Sequence, residues 1–490
     1  MGKARPIPSY LAQAVPVLAI FALGAFLRLY RLEQVPPGLH PDEAMNGINA
    51  LEAWRSGRFE VFYPENDGRE GLFINIQAVA LGLIGRTEPW VLRLVSAVFG
   101  ILTVVAMYYF SREFLDETTA RLATLFMATS VWHIIMSRVG TRPVSSLCFL
   151  LWSLYLFPQS ARKISVGSNR WGIDAVVAGL LYGLGFHTYS AYRVTPLVVA
   201  ILLPRLVREY GWPRIVRVGA VFAGTAMLVV SPLVLYFLAH RGDLVYRAGR
   251  VAIFASEEPV RQFLQNVGKT TTMYLIDGDP NWRHNFSGNP MLFWPVGMLS
   301  VFGCVLAACR QRWLLAFWAV GALPAILSNE GLPHALRSIL TIPPALLTAA
   351  LGGSWLWRRF ISGLPFLAQG ALAFAVAIAL AVSAYRSYFV QWGTHPSVAD
   401  WFYVEAVAHA RRLSAVPRDV PKYVLLQPEE AKDLRYVRGL PSSARTITFL
   451  TDTFSPENQR ALNIHYQILS QTNAIPHGAH LEFIPLPVSP

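Results

Sequence analysis

The chain has 490 residues, of which 54% are hydrophobic and only 14% charged, and it carries a formal net charge of +13. Soluble proteins carry about a quarter charged residues, so this composition excludes a disordered or acidic solvating chain and weighs against a multidomain soluble enzyme. What remains is a polytopic membrane protein. Its basic excess would imply nucleic acid only if the cations lay outside short loops between spans. Cys148, Cys304 and Cys309 all sit in apolar runs and read as small core hydrophobes, not as a disulfide framework.

About 20 apolar residues are needed to cross the hydrocarbon core. Hydropathy places about eleven such runs, roughly 10–30, 90–111, 119–137, 144–160, 173–190, 193–208, 216–239, 291–309, 313–329, 335–356 and 365–388. The first could pass for a signal peptide, but it runs on through Phe26, Leu27 and Leu29 without a clean cleavage site. With a cytoplasmic N-terminus, fifteen basic residues fall at cytoplasmic span ends. Only Arg138, Arg142, Arg193 and Arg337 fall in the short outer loops. That asymmetry follows the positive-inside rule, so the cations report topology and no nucleic-acid partner is expected. Residues 31–89, 240–290 and 390–490 are too polar to span and all lie on the outer face, where the function is expected.

The first outer loop reads VPPGLHPDEAMNGINALEAW. Pro41, Asp42 and Glu43 mark a helix start, since proline suits the first turn and acids complement the helix N-terminus. The helix that follows, about 43–56, carries Ile48, Leu51 and Trp54 on one stripe and is expected to lie in the membrane interface. Two readings of the acid pair stay open: a helix cap, or a carboxylate at the lipid–water boundary acting as a general base or metal ligand. His40 reads as a polar loop residue. Farther on, Asp67-Gly68 is a turn, and Arg69 and Glu70 precede an apolar helix of about a dozen residues, too short to cross. Arg69 is a candidate phosphate ligand or a snorkelling arginine at a helix start.

Two motifs in the long outer loop fail. Gly268-Lys269-Thr270 mimics a phosphate-binding loop, but Phe263 stands where the first glycine is needed. Asp277, Asp279 and Asn281 have calcium-loop spacing, but Trp282 replaces the obligatory glycine. A dense polar set survives, with Asp279, Arg283, His284 and Asn285 just before a span. It reads as a turn-rich connector or as a substrate-contacting loop. The four outward arginines each sit beside a His, a Tyr or a proline break: Arg193 near His187, Tyr189 and Tyr192, and Arg337 near His334. Headgroup anchoring explains any one of them. Four on one face point toward a shared anionic site, because the guanidinium fork matches phosphate oxygens.

The order of a first span, HPDE, an amphipathic helix and GREGLF, then HTYSAYR, GDPNWRHN…GNPML and PHALRSI, resembles the GT-C membrane glycosyltransferases. It is closest to the branch of dolichyl-phosphate-mannose protein mannosyltransferases and bacterial aminoarabinose (lipid A) transferases, and covers residues from about 10 to 390. The resemblance implies an all-α polytopic membrane protein of GT-C type with a small C-terminal α/β extracytoplasmic domain. It implies an inverting hexosyl- or pentosyltransferase of the bacterial plasma membrane, working on the extracytoplasmic side. The donor would be a polyprenyl-phosphate sugar, the acceptor a hydroxyl of protein, lipid or polysaccharide, with membrane lipids as surroundings. Asp42 would be the catalytic base, with Glu43 as its neighbour. Arg69, Glu70, Arg138, Arg142, Tyr189, Arg193, Asp279, Arg283, His284, His334 and Arg337 are the substrate-binding candidates. No cofactor is certain, and a divalent metal ion stays open. One departure stands out: the arabinose transferases have an acid just before the proline of the second outer loop, where this chain has Arg142. A transporter or flippase of lipid-linked glycans is the rival reading. It would carry mid-span charges and related halves, whereas here ionisable residues cluster at one face.

Residues 1–389 thus form the expected transmembrane domain, with outer loops 31–89 and 240–290. In 390–490, PKYVLLQP and RTITFLTD read as short buried strands, flanked by helices at about 397–414 and 456–470, with an extended FIPLPVSP ending. Capping the membrane domain is the default role of this part.

Overall fold

The computed structural model describes residues 9–243, 252–329, 331–426, 440–469, 475 and 478–484. Its first half comprises helices α1 (Ser9–Leu29), α2 (Pro41–Ser56), α3 (Leu72–Ile84), α4 (Pro89–Phe114), α5 (Glu117–Thr129), α6 (Val131–Arg138), α7 (Pro143–Ser165), α8 (Trp171–Phe186), α9 (Thr195–Tyr210) and α10 (Trp212–Ala239). A short hairpin, β1 (Phe62–Tyr63) and β2 (Arg69–Glu70), lies between α2 and α3. Apolar helices follow at Trp294–Arg310, Arg312–Ile326, Ile342–Leu356 and Phe366–Tyr385.

Helices occur at all eleven expected places. Among the described residues, six helical stretches are by length and composition long and apolar enough to span a bilayer, or seven if Trp294–Arg310 and Arg312–Ile326, bent by 119°, form one span. Trp171–Phe186, with 16 residues, falls short, since a helix of that length reaches only about 24 Å, against a core of about 30 Å. The third expected span is two helices broken at Ser130. Ser130 caps α6 by accepting the His133 N–H at 3.3 Å. The carbonyls freed at the end of α5 are taken up by Arg28 of α1, which donates to Met127 O and Ala128 O at 3.1 Å each. An arginine buried in an apolar bundle is tolerated when backbone carbonyls receive its donors.

Small residues set the tightest packing. Trp294–Arg310 lies along Ile342–Leu356, and a Cβ on Gly303 would come within 1.7 Å of Thr348 O. Ser300 Oγ donates across the same contact to Ala345 O at 3.0 Å. Close approach through small residues with a polar tie is how helices associate where no hydrophobic drive separates them from lipid.

The interfacial helix expected at 43–56 is α2, and it is not laid on a surface by one apolar stripe. Pro41, Glu43–Leu51 and Ala53 are all buried, because α3 covers one side and the helix Arg445–Leu450 another. The C-terminal part holds a three-stranded parallel sheet in the order β4-β3-β5, with β3 Lys422–Leu426, β4 Ile464–Ile468 and β5 His480–Ile484. Helix Val404–Ala415 buries Ala406, Ala410 and Leu413 in the same cluster as Val424 and Leu426. PKYVLL is a strand as expected, while RTITFL is a helix. Its residues 445–449 are all buried, so alternation carried no information, and packing against α2 overrode the β-propensity of its threonines and isoleucine. The expected helix 397–414 is two, Pro396–Trp401 and Val404–Ala415, parted at Tyr403 with φ 52°. The expected helix 456–470 ends at Leu462 and continues as β4. The end of FIPLPVSP lies outside the described residues.

Candidate active site

Neither acid of the HPDE motif caps its helix. His40 does, accepting the Asp42 N–H on Nδ1 at 3.0 Å, with Pro41 at the first helical position. Burial and the neighbouring Arg283 charge hold the His40 pKa well below the usual imidazole range, so the ring is the neutral acceptor that this cap requires. Successive helical residues diverge by about 100°, and this separates the two carboxylates. Glu43 points inward and is fully buried. It pairs with Arg93 at 2.9 Å and accepts the Gly140 N–H at 2.8 Å. Arg93 also donates to Pro36 O at 2.6 Å and Gly38 O at 2.8 Å. The Glu43–Arg93 pair thus ties the first outer loop, α4 and the second outer loop together. Asp42 points outward, with 30% of its side chain exposed.

Both Asp42 oxygens are held. Asn66 Nδ2 donates to Oδ1 at 3.0 Å, and Arg283 Nη1 donates to Oδ2 at 2.5 Å. Arg283 is oriented in turn: its Nε–H donates to His284 Nε2 at 3.1 Å, and His284 Nδ1 faces Asp279 Oδ2 at 3.1 Å. Asp279 also accepts the Asn281 N–H at 2.8 Å and the Ala335 N–H at 2.7 Å. The polar loop before Trp294 therefore forms a chain, Asp279–His284–Arg283–Asp42, that reaches the first loop. Burial followed by the Arg283 charge lowers the His284 pKa. Burial would raise that of Asp279, but the hydrogen bond and charge of His284, then His334 and the Asn281 N–H, outweigh it and lower it. A depressed carboxylate contributes stability above its unfolded pKa that is lost as pH falls through its folded one. Acidification below the ordinary carboxylate range is therefore expected to lower the thermal unfolding midpoint, and Asp279→Asn should remove that part of the slope. An unchanged slope would mean that Asp279 does not hold the loop.

The candidate arginines divide. Arg142 and Arg193 both reach the buried Glu70, at 2.6 Å and 3.2 Å. Tyr189 is buried at the head of the turn Ser190–Val194 that carries Arg193. Arg69 lies on the neighbouring strand position, buried, donating to Asn46 Oδ1 at 2.5 Å and to Asn49 Oδ1. Burial, then the Arg142 charge, pull its pKa down to about 9, which leaves it charged at neutral pH. Arg138 does not join this group. It is fully buried and donates to Tyr388 Oη at 3.0 Å, Val35 O at 2.8 Å and Leu27 O at 3.3 Å, fastening the end of α1 to the helical turn Arg386–Trp392 that follows the last apolar helix. Arg337 turns to Ser328, beside the histidines. Among the described residues, Arg69, Arg142, Arg193 and Arg283 gather around the carboxylates Asp42, Glu65 and Glu70.

Asp279, His284 and His334 offer ligand atoms within 4.8 Å of one another. The His284 and His334 rings are stacked at 5.1 Å, and His334 Nδ1 has no hydrogen-bond partner. The donor set as arranged suits a proton better than a metal ion. A neutral His284 bound to metal through Nδ1 must carry its hydrogen on Nε2, where the Arg283 N–H already points.

Asn66, Arg93, Arg445 and the capping role of His40 were not read from the sequence. Arg93 had a signal, a charge at the head of an otherwise apolar run. Asn66 sits in a recognisable turn, but its partner Arg445 lies far along the chain with no local mark.

Residues 72–237, about a third of the chain, match the family model described as dolichyl-phosphate-mannose-protein mannosyltransferase. No curated protein matches the sequence. Among solved structures, the Archaeoglobus fulgidus oligosaccharyltransferase in complex with Zn and sulfate is 13% identical with a TM-score of 0.56, over 93% of this chain and 62% of that one. This chain thus spans under two thirds of the length of that protein. ArnT from Cupriavidus metallidurans in the apo state is 13% identical with a TM-score of 0.52, over 90% of this chain and 85% of that one. The same ArnT bound to undecaprenyl phosphate also matches, at 13% identity and TM-score 0.52, over 89% of this chain and 84% of that one. The fold is the one these membrane proteins share, and the chain resembles the GT-C membrane glycosyltransferases, with its match to the mannosyltransferase family model confined to residues 72–237.

Proposed function

We propose that the protein is a membrane glycosyltransferase that moves a sugar from a polyprenyl-phosphate carrier to an acceptor hydroxyl on the outer face, with inversion at the anomeric carbon. The observation that carries this reading is Asp42: a part-exposed carboxylate held on both oxygens in a cluster that also holds Arg69, Arg142 and Arg193. In the reaction, Asp42 takes the proton of the acceptor hydroxyl as its oxygen attacks the anomeric carbon. The bond from that carbon to the phosphate oxygen breaks, and its electron pair leaves with the polyprenyl phosphate. The leaving phosphate gains one negative charge, which fixed guanidinium groups stabilise without protonating it. Glu43 serves the structure, and no step passes through a metal ion.

The ArnT structure bound to undecaprenyl phosphate supports a carrier of this class. A cavity of about 350 Å³ at the α5–α6 break, lined by Thr129, Trp132, Asn285, Phe293, Leu380 and Gln391, suits part of the isoprenoid tail: apolar through most of its wall, polar toward the outer loop. In the cluster, Arg193 is the part-exposed member, with 43% of its side chain open. Arg193→Gln is expected to weaken undecaprenyl phosphate binding roughly tenfold, the scale of one hydrogen bond to a charged group, and to flatten its salt dependence. Unchanged affinity by equilibrium binding in detergent would remove the phosphate from this cluster. The decisive test of the function is consumption of undecaprenyl-phosphate-linked sugars by the purified protein. No consumption of mannose, glucose or aminoarabinose donors with protein, lipid or glycan acceptors would refute it.

A further inference from the structure

The C-terminal part packs against the loop and helix that carry Asp42. Helix Arg445–Leu450 packs along α2, with Phe449 over Gly47, where an added Cβ would come within 2.3 Å of the ring. Glycine at that position is what lets the two helices approach. Thr446 Oγ1 donates to Leu39 O at 2.9 Å, next to the His40 cap, and the Leu39 N–H donates to Phe402 O at 2.6 Å. At the far end of α2, Arg55 forks onto both Asp452 oxygens at 2.8 and 2.7 Å. Both ends of the helix that carries Asp42 are therefore held by residues distant in sequence.

This docking delivers Arg445. It is buried, 4% exposed, and its Nη1 donates to Asn66 Oδ1 at 2.8 Å, while Asn66 Nδ2 donates to Asp42 Oδ1 at 3.0 Å. Asn66 has φ 54°, a left-handed conformation that asparagine tolerates, so the turn places its amide between the two charges. An amide has a donor end and an acceptor end of nearly equal shape. With a guanidinium on one side and a carboxylate on the other, only one orientation satisfies both. Turned over, the amide would set its oxygen against the carboxylate oxygen and its NH₂ against guanidinium donors.

We infer that Arg445 is a positioning residue for the transfer reaction, fixing the Asn66 amide so that it donates to Asp42 and aims the carboxylate at the acceptor hydroxyl. The inference rests on the function proposed above. Because Arg445 acts through Asn66 in this reading, its loss should appear in kcat and not in the KM for the donor. Arg445→Gln is expected to lower kcat roughly ten- to a hundredfold with the donor KM within twofold of wild type. Asn66→Ala should do the same, and the double variant should be no worse than the poorer single one, because the two act as one relay. Arg445→Lys, which keeps the charge, should recover part of the loss.

The assay uses the full chain in detergent with undecaprenyl phosphate esters of mannose, glucose and aminoarabinose, following whichever the wild type consumes. Losses that multiply in the double variant would overturn the relay, as would wild-type kcat in Arg445→Gln while Asp42→Asn is dead. If Arg445→Gln fails to fold, Asn66→Ala and Arg445→Lys decide on the same kcat criterion. A wild type that consumes no donor overturns the proposed function itself, and the inference with it.

Discussion

Asp42→Asn is expected to lower kcat by about two to four orders of magnitude, the usual contribution of a positioned general base, without weakening undecaprenyl phosphate binding. The substitution is nearly isosteric. An asparagine oxygen can still accept from Asn66 Nδ2 or Arg283 Nη1, which now hold the carboxylate at 3.0 and 2.5 Å, so the loop should keep its place. What it cannot do is take a proton. Removing one negative charge beside Arg69, Arg142, Arg193 and Arg283 should leave phosphate affinity equal or slightly higher. The measurements are initial rates of donor consumption and, separately, equilibrium binding of undecaprenyl phosphate. A fully active Asp42→Asn would end the base assignment. A variant that loses binding and activity together would instead make Asp42 a ligand of the donor site.

The site was legible where one loop carries its own chemistry. HPDE, the Asp67-Gly68 turn with Arg69 and Glu70, and the GDPNWRHN loop each mark themselves by polar residues between apolar runs, and the structure brings Asp42, Arg69 and Arg283 into Coulombic reach of shared partners. What sequence spacing cannot show is direction. Arg138 and Arg142 are four residues apart on the same outer edge, yet Arg138 turns inward to Tyr388 while Arg142 meets Glu70. The pattern that suggested four equivalent outward arginines averaged over that difference. Arg445 was beyond reach for another reason, since its role depends on a pairing between chain segments that no local signal encodes.

The fold was legible to the extent that hydropathy reports a length. The runs found at 90–111, 216–239 and 365–388 are long helices. The run at 119–137 is less apolar and breaks at Ser130, where Arg28 from another helix satisfies the carbonyls that the break exposes. Hydropathy counts apolar residues and is blind to such compensation. In the C-terminal part, PKYVLL shows alternation that a half-buried strand preserves, whereas RTITFL is buried on every side and loses any period.

Glu43→Gln is expected to cost about 3–5 kcal/mol of stability, the scale for leaving a buried charge without its partner. Arg93 has 1% of its side chain exposed and Glu43 none, so water cannot take over the lost interaction. Two of the Arg93 donors would still reach Pro36 O and Gly38 O, but these carbonyls solvate a cation without neutralising it. The Gly140 N–H would meanwhile face an amide in place of a carboxylate. The readout is thermal unfolding in detergent, and hydrogen exchange should show protection lost at the start of α2, at the head of α4 and around Gly140. The pair can be tested against its own premise. Adding Arg93→Met to Glu43→Gln removes the stranded charge, so the double variant should be more stable than Glu43→Gln alone, a coupling that independent sites would not show. The same experiment separates the two carboxylates of the motif. If Glu43→Gln unfolds like wild type yet loses turnover, Glu43 takes part in the chemistry and the division of labour with Asp42 fails. If it loses stability while its folded fraction keeps the wild-type kcat, Glu43 is the anchor and Asp42 alone is left to take the proton.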